Sequence, residues 1–189
     1  MDPFGYLSIL TSIVLGLGIT RLLSGCGELL QLGLSVRLYW VHLLWAGNVF
    51  LFLVLNWCTL FRWRTQTEWT FFIFLFVLLS PTISYLLTVL LFPRTLGAGS
   101  DLREHYFAQR RGFFLLAALL PPIDAVDTLL KGWDHFAAQG AIYPVTLALV
   151  SVLSLIAART ASPRYHAAFG VFFLLYISLF ITINLRVLN

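Results

Sequence analysis

The chain reads as an all-α integral membrane protein, a polytopic bundle of six transmembrane helices forming one domain over 1–189. Three observations point there. Charged residues make up only 11% of the chain against 60% hydrophobic ones, with a mean hydropathy of +0.90, whereas a soluble domain carries about 25% charged residues. The apolar residues also fall into runs close to the roughly 20 that a helix needs to cross the hydrocarbon core. Finally, 189 residues accommodate about six such runs joined by short connections.

The first run, 4–24, places Ser8, Ser12, Gly16, Thr20 and Ser24 at four-residue intervals. Small residues let helix backbones approach closely in lipid, so this row reads as a packing seam. It would serve a homo-oligomer as readily as an intramolecular contact, and a sharper reading makes it the polar wall of a pathway. No basic n-region and no small-residue cleavage site surround the run, so it is expected to stay as a helix rather than leave as a signal peptide. Arg21 interrupts the stretch LGLGITRLLSGCGELL near the end of the first run. There a long side chain can snorkel, and the roles open to it are a phosphate anchor, an ion-pair member or a functional charge. The glycines are no dinucleotide fingerprint, because Arg21 occupies the third glycine position and no strand precedes them.

The second run, 39–61, carries His42, Trp45, Val49, Phe52 and Asn56 along a heptad-like stripe. The third, 69–92, contains Ser80, Pro81, Thr82, Ser84 and Tyr85, which predict a kink whose hydroxyls satisfy the backbone. The connection at 93–111 opens as a Pro/Gly turn. It continues as a mixed-charge stretch, with Leu102, Tyr106 and Phe107 at helical spacing, which predicts a short interfacial helix over 101–110.

The fourth run, 112–132, holds the stretch LLPPIDAVDTLLKGWDH at its end. Pro121 and Pro122 remove two backbone donors, so a kink or break is expected, with freed carbonyls that need partners in lipid. Asp124 and Asp127 follow, one turn apart on the same helix face, and Asp127 stands four residues from Lys131. The structural reading pairs Asp127 with Lys131 and uses Asp124 as a cap. The functional reading makes the carboxylates a cation or proton site, as intramembrane carboxylates often mark. The fifth and sixth runs are 141–158 and 167–187.

Likeness between ITRLLSG at 19–25 and VDTLLKG at 126–132 suggests a 3+3 inverted repeat. The connections after runs one, three and five hold Arg37, Arg94, Arg103, Arg110, Arg111, Arg159 and Arg164. The opposite side holds Arg62, Arg64, Lys131 and Arg186, so seven basic residues stand against four. Basic loops are retained in the cytoplasm, which places both termini outside, in a bacterial inner membrane.

No basic run suits nucleic acid. Two cysteines, Cys26 and Cys58, cannot build a disulfide framework or a four-thiolate zinc site. No HExxH, GxSxG or P-loop is present, so the chain is not expected to be an enzyme. Three functions fit. The first is a permease or channel for protons, cations or a small solute, built on Asp124, Asp127, Lys131 and Asn56 with Arg21 as counter-charge or gate, and it needs no cofactor. The second is a redox protein binding haem or quinone, with His42, His105 and His166 as ligands. The third is a non-catalytic scaffold or assembly subunit.

Overall fold

The computed structural model describes residues 3–64, 66, 68–93 and 95–184, and shows a helical bundle with no strand among them. Arg94, Arg186 and the last residues of the sixth run lie outside the described residues. The helices are α1 (Pro3–Leu32), α2 (Trp40–Thr59), α3 (Phe71–Val77), α4 (Leu79–Leu91), α5 (Leu102–Leu130), α6 (Trp133–Ala138), α7 (Ile142–Arg159) and α8 (Pro163–Asn184). With α3 and α4 forming one crossing, six stretches are long and apolar enough to span a membrane. The chain is therefore an integral membrane protein whose lipid-facing surface is apolar, with Ile9, Leu17, Val145, Leu175 and Leu179 all exposed.

The bundle has two ends. One carries Trp63 and the α5–α7 connection; the other carries Tyr39 and the links from α1 to α2, α4 to α5 and α7 to α8. At the Tyr39 end, Arg37 N donates to Ser100 O at 2.9 Å, and Leu102 N donates to Arg37 O at 3.1 Å. These bonds tie two connections together.

Helix α1 continues to Leu32, eight residues beyond the expected end. At about 1.5 Å per residue its 30 residues reach about 45 Å, longer than the hydrocarbon core. Its buried line is Leu7, Thr11, Leu15, Gly18, Leu22, Gly25 and Leu29. Within the chain the row at four-residue intervals is therefore not the packing line, since Ser12, Thr20 and Ser24 are exposed while Ser8 and Gly16 are only half-buried. The reason is geometric. Steps of four residues rotate by about 40° each around a 3.6-residue helix, so a strict four-residue row winds away from any one neighbour, whereas alternating threes and fours hold one face.

The small residues that matter on α1 are Gly18 and Gly25. A Cβ on Gly25 would lie 2.5 Å from the Phe92 ring, and one on Gly18 would lie 3.2 Å from Leu53. Across the bundle, Asn48 Nδ2 donates to Gly170 O at 2.9 Å, fastening α2 to α8. Trp45 packs edge-on against Phe113, Phe114 and Phe169 at the centre of the core.

The expected interfacial helix at 101–110 is instead the start of α5. Asp101 caps it by accepting from Arg103 N at 2.8 Å and Glu104 N at 3.2 Å, and nothing between Arg110 and Phe113 stops the helix. Pro121 and Pro122 do not break α5, which stays helical to Leu130. The third crossing, by contrast, is interrupted at Leu78. Helix α1 packs along α4, whereas α5 packs along α7 and α8 along α2, so the two three-helix halves do not share one packing pattern.

Candidate functional site: a charged cavity at the Trp63 end

Between the helices, from the Trp63 end to the middle of the bundle, lies a cavity of about 170 Å³ lined by residues of α1, α2, the α3–α4 crossing, α5, α7 and α8. Most of its wall is apolar or aromatic. Trp45, Phe113 and Phe169 line its deep part, where the central aromatic cluster stands between it and the Tyr39 end. Three ionisable groups belong to the wall besides tyrosine: Asp124, Asp127 and Lys131.

Asp127 and Lys131 form an ion pair within α5, as the four-residue spacing predicts. Trp63 completes this arrangement. Its indole Nε1 donates to Asp127 Oδ1 at 2.9 Å, and the Lys131 ammonium sits 4.9 Å from the centre of its ring. One aromatic side chain thus serves both members of the pair, and their charges cancel.

Asp124 is held differently. Tyr143 on α7 donates to Asp124 Oδ2 at 2.7 Å, and Thr128 Oγ1 lies 2.8 Å from the same phenol oxygen. With the phenol proton directed at the carboxylate, Thr128 is the donor to Tyr143, giving a chain Thr128 to Tyr143 to Asp124. No cation lies within ion-pair distance of Asp124 among the described residues, so with Asp124 ionised the wall carries a net charge of −1.

Further polar groups line the same space. Asn56 Nδ2 donates to Ser80 Oγ at 2.6 Å, joining α2 to α4. Thr11 of α1 is fully buried, and its hydroxyl has no hydrogen-bond partner among the described residues. Just beyond the membrane-spanning part of α5, burial and then the charges of Lys131 and Arg62 hold the His135 imidazole below its ordinary value.

The structure therefore brings together Asp124, Asp127, Lys131 and Asn56. It places Arg21 elsewhere, with its guanidinium donating to Phe92 O at 3.2 Å and Pro93 O at 2.8 Å, where it closes the end of α4. The three histidines gather at the Tyr39 end. His42, His105 and His166 each turn Nε2 to a backbone carbonyl, those of Leu91, Leu90 and Thr160 respectively. His166 Nδ1 also meets the Tyr106 hydroxyl at 2.9 Å. The rings of His42 and His105 stand 6.4 Å apart. Among the described residues no group of three His, Cys, Asp or Glu side chains is placed to hold a metal ion.

Sequence reasoning missed Tyr143 and Thr11. A signal for Tyr143 exists in the connection. A short link forces α5 and α7 into an antiparallel pair, and the contacts Ala118–Ser151, Asp124–Tyr143 and Thr128–Tyr143 all lie nearly symmetric about Asp134 and His135. No family model matches the chain, and comparison with curated proteins and with solved structures returned no match. What sequence and geometry together establish is an integral membrane protein whose six apolar crossings enclose a cavity with one carboxylate, Asp124, that has no cation within ion-pair distance among the described residues.

Proposed function

We propose that the protein is a small permease or channel-type carrier for a cation or a protonatable solute, with Asp124 as its charge site. The observation that carries this reading is the pairing pattern in the cavity. Asp127 is neutralised by Lys131, while among the described residues Asp124 is hydrogen-bonded by a neutral phenol and has no cation within ion-pair distance. An ionisable group without a counter-charge at membrane depth is costly, and it fits a role in which a mobile cation or proton completes it. In this reading both termini face outward and the cavity faces the outside, as the excess of arginines at the Tyr39 end supports. The central cluster around Trp45 then forms the barrier on the inner side.

The test is flux into proteoliposomes that hold the purified chain, followed with a pH-sensitive dye and with rubidium or small amine tracers. The Asp124→Asn variant is expected to lower flux at least tenfold while its helical circular dichroism is unchanged. Flux equal to that of the parent chain would overturn the assignment of Asp124.

A further inference from the structure

We infer that the ligand of this cavity is a small organic ammonium ion, singly charged and with an apolar body, rather than a bare inorganic cation. The inference rests on the reading of Asp124 as the charge site and adds the ligand class. Charge sets the first condition: the wall has two carboxylates and one ammonium, so one positive charge balances it.

The rest of the wall sets the second. A stripped metal ion needs a shell of about six oxygens, from carboxylates or from backbone carbonyls freed by unwound helix. Beside the cavity prolines free three carbonyls, those of Ala117 and Ala118 on α5, which stays helical through Pro121 and Pro122, and that of Val77 where the third crossing is interrupted. Of these, the Ala118 carbonyl already accepts from Ser151 Oγ at 3.2 Å, and the remaining two with the Asp124 carboxylate fall short of such a shell. What the cavity offers in quantity is aromatic surface, including Phe52, Phe173 and Tyr176. An organic ammonium needs little else, because ring faces attract the charged head and cover the apolar body.

Size sets the third. A void of about 150 Å³ holds a benzene ring, so the 170 Å³ here takes one ring or a few short alkyl arms and excludes much bulkier cations. Thr11 supplies an independent mark of a ligand. It lines the cavity fully buried with an unpartnered hydroxyl, a group that goes unanswered in lipid only at a cost. An ammonium headgroup carries several N–H donors, and the Thr11 hydroxyl is an acceptor in the same wall as Asp124.

The measurement is calorimetric titration of the detergent-purified full chain with phenethylammonium, its neutral match 2-phenylethanol, the bulky tetraphenylphosphonium, and sodium or potassium alone. Phenethylammonium is expected to bind at least tenfold more tightly than 2-phenylethanol. Tetraphenylphosphonium and the inorganic ions are expected to give no saturable heat. Asp124→Asn is expected to weaken phenethylammonium at least tenfold, and Thr11→Val severalfold. Should Asp124→Asn fail to fold, Val150→Phe tests the same point by filling the cavity without touching a charge, and it is expected to abolish binding. Equal affinity for the alcohol and the amine, or binding that survives Val150→Phe, overturns the inference. If phenethylammonium does not bind while proteoliposomes still pass protons or rubidium in an Asp124-dependent way, the ligand class is wrong and the carrier reading stands. If neither is seen, both fall.

Discussion

Asp124 and Asp127 are the same residue type one helical turn apart, and their surroundings give them different roles. Asp127 has a cation and an indole N–H, so it behaves as part of the fold. Asp127→Asn is expected to destabilise the protein by about 1–3 kcal/mol, measured by thermal unfolding in detergent, because it leaves a largely buried ammonium short of its counter-charge. Asp124→Asn is expected to cost much less, since an amide can still accept from Tyr143. The first relation was legible in the sequence, because pairing at four residues is a property of any helix. The second was not, because the partner of Asp124 stands on another helix and is found only once α5 and α7 are known to pair. Thr11 was invisible for a different reason. Its row on α1 looks like ordinary apolar sequence, and only burial reveals an unanswered hydroxyl.

At the level of elements, the two proline sites show that a residue rule needs its neighbour. In α5 two successive prolines leave the helix continuous, and Ser151 of α7 answers one of the freed carbonyls. In the third crossing, Pro81 cannot bond to Val77, the residue at which α3 ends. Leu78 then takes φ −73° and ψ −13°, a tightened turn, while Thr82 Oγ1 bonds back to Leu78 O at 2.7 Å. The kink at Ser80–Pro81 and its hydroxyl bonds were thus readable from sequence, as was the need for partners after Pro122. The identity of the partner was not. Ser151→Ala is expected to lower stability by about 0.6 kcal/mol, the average for one hydrogen bond between membrane helices. It should also raise amide exchange around Ala118, which hydrogen-exchange mass spectrometry checks.

For the whole molecule, six crossings joined by five connections put both termini at one end, and the sequence showed this because apolar runs are long and their breaks are charged. Single cysteines placed on a background without Cys26 and Cys58 test the proposed orientation. Ala138→Cys, at the end of α6 on the Trp63 side, is expected to react with a membrane-impermeant maleimide in intact cells. Ser100→Cys, at the Tyr39 end, is expected to react only after permeabilisation; the reverse pattern would turn the protein over in the membrane.

The same connectivity bears on how the chain enters the bilayer during synthesis. The ion pair of Asp127 and Lys131 forms inside one helix, so it travels into lipid already neutral. The needs of Asp124 and of the Ala118 carbonyl are met by Tyr143 and Ser151, which both reside on α7. Alone in the membrane, α5 would carry a bare carboxylate and an unbonded carbonyl. The α5–α7 hairpin, and not the single helix, is therefore the smallest piece of this protein in which both groups are answered.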